Sequence, residues 1–296
     1  ANEEEKRFKE MLLSLDNVHS SENPDLKNAL VQETLQKEAS LNNNKFVFAI
    51  ARELEFKKNT TDAAYLFSKL NNSEIYYEDE YYYELKDVYW RPNGVQSSWF
   101  LNYYYDYFLY LNDAYSTDEM NDLISDIKKP DSQTSDFEQW KKETLSKEID
   151  RLYDLLGTKF IREDKLNAAL NAFEMVNDTL WKSEYYPFKT YLNSNPFYTN
   201  FYLEHSKTPM DTVVFTKESI TRKLINLKSD FQTSSGNNKA YAAFHIANCY
   251  FNMTQYGNSW MMRRYAWSQN FLESPLVDNF EFFECQLAKK YYLEAY

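Results

Sequence analysis

Apolar side chains recur along this chain at alternating steps of three and four residues, the spacing that places them on one face of an α-helix. One such row runs through the aromatic segment 99–115, and its members are Leu101, Tyr104, Phe108, Leu111 and Tyr115. A second row consists of Tyr77, Tyr81, Leu85 and Val88. No run of alternating apolar and polar residues is long enough to predict a sheet. The pattern therefore predicts a chain that is mostly helical.

Helix starts are marked in two places by the capping-box pattern, in which a hydroxyl and a carboxylate satisfy the free amides of the first turn. Ser116 with Glu119 forms one such pair, and Ser135 with Glu138 forms the other. The 296 residues include only 4 Gly and 7 Pro, which are too few for a fold built from many tight turns. Both features favour an all-α protein.

Gly157 lies inside an otherwise strong helical pattern, where glycine costs about 1 kcal/mol relative to alanine. The close approach of a second helix would compensate for this cost, because a residue without a side chain leaves room for its neighbour. Ala169, Phe173 and Val176 follow at steps of four and three and would form the facing side of that second helix. The segment therefore predicts a helical hairpin with Gly157 at its contact.

The offsets of this hairpin recur in two other parts of the chain. In the early part, the corresponding residues are Ile50, Ala51, Leu54, Ala63, Phe67 and Leu70. In the late part, they are Ile246, Ala247, Tyr250, Ala288, Tyr292 and Ala295, with residues 255–281 inserted between the two helices. The small residues Ala51, Gly157 and Ala247 are therefore predicted to be the points at which paired helices touch.

This spacing resembles that of the tetratricopeptide repeat, a helix–turn–helix unit of about 34 residues. In the middle unit, the family's aromatic and small positions are occupied by Tyr153, Gly157, Phe160, Ala169 and Phe173. Val176 stands where the family has its final alanine. The resemblance implies an all-α fold in which antiparallel helix pairs form a right-handed superhelix, a TPR-like α-solenoid with degenerate repeats.

The resemblance also implies one continuous array over residues 1–296, with clear units near 44–71, 150–177 and 240–296. The last unit carries the insertion at 255–281, and the segments between the units would hold irregular helices. A terminal repeat without a closing polar helix exposes the face meant for its neighbour. We therefore expect the chain to be a fragment of a longer protein, or to have its end covered by a partner.

Candidate partner-binding residues follow from the resemblance, because the first helices of stacked repeats line a concave surface that recognises peptides or proteins. These positions are Arg52, Arg151, Asp154, Thr158, Tyr241, Phe244, Asn248 and Phe251. The alternative for Phe244 and Phe251 is that they pack against neighbouring helices. The insertion offers a second set of interface-type residues, namely Trp260, Arg263, Arg264 and Trp267. These residues can equally tether the insertion to the helices.

Motifs of catalysis, cofactor binding and metal binding are not evident in the sequence. The 4 glycines are too scattered for a phosphate-binding loop, and neither His-Glu-x-x-His nor Cys-x-x-Cys occurs. His245 and Cys249 are one helical turn apart, but no third group that would orient them is identifiable. Acidic residues beside the tyrosine clusters, such as Asp106, leave a helical-toroid glycoside hydrolase as the least favoured function. We expect no cofactor and no catalytic residue.

Charge and hydropathy exclude two classes of partner. The net charge of −12, from 45 acidic and 33 basic residues, argues against nucleic-acid binding, because phosphates would be repelled. The apolar segment 99–115 is interrupted by polar residues and falls short of the roughly 20 apolar residues of a membrane span. Cys249 and Cys285 are predicted to be buried thiols, with a single disulfide as the alternative.

The sequence therefore predicts a non-catalytic helical-repeat scaffold that recognises a protein or peptide partner. The alternative is a carbohydrate-binding surface protein, because 26 Tyr and 6 Trp supply rings on which sugars can stack. The composition rich in Tyr and Asn, together with a first residue other than Met, favours an exported bacterial protein located in the periplasm or at the cell surface.

Overall fold

In the computed structural model of the chain, the residues described are 32–33, 35–37, 44–70, 107–129, 136–182, 195–198, 215–264 and 279–296. Regular structure in these residues is helical throughout, and none of them belongs to a strand. The predicted all-α class is therefore confirmed. Several predictions lie outside the described residues, namely those for the row Tyr77 to Val88 and for Leu101, Tyr104, Ser135 and Trp267.

The described helices are numbered here in chain order. They are α1 (Asn44–Phe56), α2 (Thr60–Phe67), α3 (Tyr107–Ala114), α4 (Thr117–Ile127), α5 (Asp136–Lys147), α6 (Ile149–Arg162), α7 (Leu166–Glu174), α8 (Asp178–Lys182), α9 (Lys217–Thr233), α10 (Gly236–Asn252), α11 (Asn279–Glu284) and α12 (Gln286–Ala295). A 3₁₀ turn covers Trp260–Met262. The chain divides into two compact units, one formed by residues 1–110 and 122–148 and the other by 111–121 and 149–296.

In the first unit, α1 and α2 pack against each other across the short connection 57–59. Ala51 and Ala63 are fully buried at this contact, and the rings of Phe48 and Phe67 lie 5.9 Å apart. Helix α5 packs on α2. The predicted pairing of the two helices is confirmed.

In the second unit, each helix of the series α6, α7, α9, α10 and α12 packs against the next. Gly157 on α6 lies beneath the ring of Phe173 on α7, where a Cβ atom would come within 2.3 Å of the ring. Ala247 on α10 and Ala288 on α12 are buried where those two helices meet. Both predicted helix pairs are confirmed, including the pair that the insertion separates in sequence.

The hairpins α1–α2 and α6–α7 close with the same turn. Lys58 and Asp164 each stand two residues after the first helix with a left-handed backbone, at φ 64° and 53°. The amide of the next residue donates five residues back in both turns, from Asn59 to Leu54 at 2.8 Å and from Lys165 to Phe160 at 3.0 Å. Two hairpins that share side-chain spacing and turn geometry have the properties of an internal repeat.

Helix capping follows the sequence prediction at α4 and adds a second case at α9. The Ser116 amide donates to the Glu119 carboxylate at 2.8 Å, and the Glu119 amide donates to the Ser116 hydroxyl at 3.2 Å. Thr216 and Ser219 form the equivalent reciprocal pair at the start of α9. Sequence inspection missed the second pair, because serine replaces the usual acidic residue at its third position.

Both cysteines are free thiols. Cys249 is buried on α10, and Cys285 is half-buried just before α12. The prediction of buried thiols is confirmed for Cys249, and the alternative of a disulfide is excluded by the structure. Among the described helices, none is both long enough and apolar enough to cross a membrane.

The first unit contains a carboxylate whose ionisation stabilises the fold. Burial by itself would raise the pKa of Asp126, but hydrogen bonds from Lys129, Lys142 and Tyr65 outweigh it and lower the pKa from 3.8 to about 2. Because the folded pKa lies below the unfolded one, this contribution is present above pH 4 and is lost as the pH falls toward 2. Since the carboxylate is partly screened by solvent, we expect about 1 kcal/mol of stability from it.

This contribution can be measured by urea unfolding of wild type and Asp126→Asn at several pH values. We expect the variant to be less stable by about 1 kcal/mol at pH 7, with the difference shrinking between pH 4 and pH 2. Lys142→Met removes a cation 3.1 Å from the same carboxylate and should lose part of the same pH dependence. A difference that stays constant from pH 7 to pH 2 would contradict this assignment.

Candidate functional site

Most of the charged residues predicted to contact a partner are buried inside the units. Arg52 pairs with Glu55 and donates to the Tyr110 hydroxyl at 2.6 Å, and it is 3% exposed. Asp154 and Thr158 are fully buried and both contact Lys217. These side chains join helices together, which corrects the expectation that they line an accessible surface.

The predicted residues of the insertion are also internal. Trp260, Arg263 and Arg264 are each less than 5% exposed. Arg263 donates to the carbonyl of Ile161 at 3.3 Å, and the Arg264 guanidinium lies 4.4 Å from the centre of the Phe282 ring. The described part of the insertion is therefore tethered to the helices, which is the alternative that the sequence left open.

Four of the predicted positions reach solvent. Arg151 and Phe251 are half-buried, and the Phe251 ring stacks on Tyr256 at 6.2 Å. Tyr241 and Phe244 are 62% and 43% exposed, which is unusual for side chains of this size. Helix α10 thus presents two predicted aromatic residues to solvent, whereas Arg52 on α1 and Asp154 on α6 are buried.

Tyr241 and Phe244 belong to a larger group that we call the His245 cluster, defined as Tyr198, Tyr241, Phe244, His245 and Tyr292. The His245 ring lies 4.2 Å from Tyr241, 5.5 Å from Tyr198 and 5.8 Å from Phe244, in each case edge to face. Phe244 in turn lies 6.0 Å from Tyr292. The cluster is a continuous aromatic surface of which Tyr198, Tyr241 and Phe244 are exposed.

Helix α10 positions the cluster through a row of side chains one helical turn apart. Tyr241, His245, Asn248 and Asn252 follow at steps of four, three and four, so they lie on one face. The two asparagines bind the segment 195–198, since Asn248 donates to the Phe197 carbonyl at 2.9 Å and Asn252 to those of Pro196 and Tyr198 at 2.9 and 3.1 Å. Tyr198 is thereby fixed beside His245.

Helix α12 supplies the opposite side of the cluster. The Tyr292 hydroxyl donates to Asn248 Oδ1 at 2.6 Å, so one asparagine joins α12 to the segment 195–198. Burial raises the pKa of Tyr292, with a further contribution from Cys285, and this keeps the hydroxyl protonated as a donor. His245 Nδ1 lies 2.8 Å from the Phe197 carbonyl. The polar atoms beneath the aromatic surface therefore form one connected network.

Two observations describe the chemistry of the residues around the cluster. Burial raises the pKa of Cys249 far above neutrality, so the thiol next to His245 in sequence is not a thiolate nucleophile. No group of three or more His, Cys, Asp or Glu side chains with metal-binding geometry occurs within the described residues. What the cluster offers a ligand is apolar ring surface and a small number of polar edges.

Sequence reasoning identified part of this site and missed the rest. Tyr241, Phe244 and Asn248 were predicted because they occupy the first helix of a repeat. The role of His245 was detectable from its position one turn from Tyr241. Tyr198 carried no such signal, because it reaches the cluster from a segment more than 40 residues away in the chain. The repeat spacing placed Tyr292 on the helix that pairs with α10, but it did not predict Tyr292 as a binding residue.

Comparison with known proteins does not identify a relative. No protein-family model matches the chain, and no curated protein or solved structure matches it either.

Proposed function

We propose that this chain is a non-catalytic helical-repeat protein that binds a protein or peptide partner through the His245 cluster. The observation that supports the proposal most directly is the exposure of three large aromatic side chains, Tyr198, Tyr241 and Phe244, around one histidine. Contiguous exposed apolar surface of this kind is typical of interaction sites. Tyrosine is also one of the residue types enriched among the few side chains that carry most of the binding energy in protein interfaces.

The repeated hairpins support a TPR-like architecture for the scaffold. The two copies share small-residue contacts at Ala51 and Gly157 and the same left-handed turn residue. We propose that they belong to an array of antiparallel helix pairs with a right-handed superhelical course and a concave binding surface. In such arrays, the partner contacts the first helix of each pair, which for the last pair is α10.

Local charge makes the cluster suited to a partner without excess positive charge. Helix α10 contains one basic side chain, Lys239, and no acidic one, although the whole chain carries a net charge of −12. Lys223 on α9 extends over the Phe197 ring at 4.5 Å from its centre. An aromatic or apolar peptide segment flanked by acidic residues would therefore meet no like charge on α10 itself.

A carbohydrate ligand is the second candidate, because the exposed rings of Tyr198 and Tyr241 could stack on sugars. Sugar recognition also needs many hydrogen-bonding groups around each ring. Asn248 and Asn252 are buried and already bind backbone carbonyls in the segment 195–198. The cluster therefore fits a peptide side chain better than a polyhydroxylated ring.

The proposal can be tested by selecting peptides from a random displayed library on immobilised wild-type protein. We expect saturable binders whose affinity falls at least tenfold with Tyr241→Ala and with Phe244→Ala, since each removes a central aromatic contact. Tyr256→Ala is the matched control, because this tyrosine is 44% exposed but stacks on Phe251 outside the cluster.

The same preparation is tested against an oligosaccharide array. Selected peptides that bind all three variants as tightly as wild type would contradict the proposed site. Saturable binding of an oligosaccharide, lost on Tyr241→Ala in the absence of any peptide binder, would favour the carbohydrate function instead.

A further inference from the structure

The tautomer of His245 is fixed by its neighbour. The Phe197 carbonyl oxygen accepts hydrogen bonds and cannot donate one, so the His245 Nδ1 atom at 2.8 Å must carry the proton of this hydrogen bond. In the neutral imidazole, the second nitrogen, Nε2, is then an acceptor. The orientation of the carbonyl is itself held by Asn248, which donates to the same oxygen. His245 is thus preset to accept a hydrogen bond.

This acceptor is not used by the fold. Among the described residues, none makes a hydrogen bond to His245 Nε2, although the residue is only 7% exposed. Nε2 is not among the buried atoms that lack a partner, so it reaches solvent. A ligand that covers it must replace the hydrogen bond from water, because an acceptor that is buried without a partner costs free energy. The rings that enclose His245 are those of Tyr198, Tyr241 and Phe244, which are themselves the exposed part of the cluster.

We infer, on the basis of the proposed function, that the cluster binds a tryptophan side chain of the partner and that His245 Nε2 accepts the hydrogen bond from its indole N–H. Indole is a flat apolar ring with one donor and no acceptor on its edge. It therefore matches a surface of splayed rings in which His245 Nε2 is available as an acceptor. Phenylalanine would leave Nε2 unsatisfied, and an unpaired acceptor lowers affinity.

The cationic alternatives fit less well. Lysine and arginine side chains also donate hydrogen bonds, and they also bind over the faces of aromatic rings. The cluster has no carboxylate among its members, and the ammonium group of Lys223 on α9 lies 4.5 Å from the centre of the Phe197 ring, in the segment that holds Tyr198. A cationic side chain would therefore be desolvated without an opposite charge, whereas the neutral indole carries no such penalty.

Two small probes test the inference on the full chain. N-acetyltryptophanamide and its indole-N-methylated analogue have the same ring, but only the first can donate to His245 Nε2. We expect the unmethylated probe to bind at least fivefold more tightly in NMR titrations, which corresponds to one neutral hydrogen bond. In His245→Phe, which keeps a ring of similar size, we expect the preference to fall below twofold.

The wild-type comparison needs no variant, so it decides the matter even if His245→Phe fails to fold. Equal affinities of the two probes, or a preference that survives in His245→Phe, would overturn the inference. The nitrogen shifts of His245 in the free chain give a second check, since a neutral ring protonated at Nε2 would also overturn it. If library-selected peptides bind but neither probe does, the tryptophan contact is excluded while the proposed function stands. If neither peptides nor probes bind saturably, the tryptophan contact and the proposed function are both excluded.

Discussion

Replacing Lys217 with methionine is expected to lower the free energy of unfolding of the second unit by about 3–5 kcal/mol. Lys217 and Asp154 form an ion pair at 2.9 Å in which both side chains are fully buried. The ammonium group also donates to the Thr158 hydroxyl at 2.9 Å. Methionine has a similar length and no charge, so the variant leaves a buried carboxylate without its ion-pair partner.

The electrostatic setting of Lys217 explains the size of this effect. Burial lowers the pKa of Lys217, and the attraction of Asp154 opposes that shift. Each charge is thus stabilised in the interior by the other. Removing one partner of such a pair costs more than removing both, because the remaining charge keeps its desolvation penalty.

Urea unfolding, combined with hydrogen exchange of the α9 amides, would measure this loss. Lys228→Met is the matched control, because Lys228 forms a 3.0 Å ion pair with Asp164 in which both side chains reach solvent. We expect this control to cost about 0–1 kcal/mol. We also expect Lys217→Met combined with Asp154→Asn to be more stable than Lys217→Met alone. Equal losses in Lys217→Met and Lys228→Met would contradict the assignment.

The buried pair also shows why the sequence misplaced several candidate residues. Asp154 and Thr158 stand on α6 at positions that face a partner in the repeat family, and nothing nearby in sequence indicates a cation. Their partner Lys217 is the first residue of α9, where a lysine opposes the helix dipole and would ordinarily extend into water. Only the packing of α9 in the second unit brings these residues together.

Helix pairing was predictable because its signal is local. The small residues Ala51, Gly157 and Ala247 are each followed by small and aromatic residues that complete the contact, and all three are buried in the structure. Periodicity of this kind depends only on the geometry of an α-helix. Partner helices close in sequence could therefore be assigned without any knowledge of the tertiary arrangement.

Membership of the His245 cluster was predictable only for residues that α10 contributes. Tyr241 and Phe244 are exposed where the repeat spacing placed them. Tyr198 depends on two asparagines that bind the backbone of the segment 195–198, and such side chain–backbone contacts leave no periodic pattern. Most of the charged candidates are not surface residues, because their side chains have partners in the interior.

Gly157→Ala is the second substitution from which we expect a large effect. A Cβ atom at this position would lie 2.3 Å from Phe173 Cε1 and 2.5 Å from Cδ1. The Phe173 ring is fully buried and packs against Trp181 at 6.2 Å, so it has little room to move. Overpacking of this kind costs about 1–3 kcal/mol. Alanine regains roughly 1 kcal/mol in a helix interior, so we expect a net loss of up to about 2 kcal/mol.

A double variant separates the helix contact from the helix propensity. Phe173→Leu removes the ring that the new methyl group would contact. The double variant Gly157→Ala/Phe173→Leu should therefore lose about 1 kcal/mol or more less stability than the two single losses added together. Gly236→Ala is the contrasting case, because its φ of 55° is strained for alanine while no atom lies within 4 Å of the new Cβ. Its loss should therefore not depend on Phe173. If Gly157→Ala were as stable as wild type in urea unfolding, close approach of α6 and α7 would not be the reason for a glycine at this position, and the physical basis of the repeat would have to lie elsewhere.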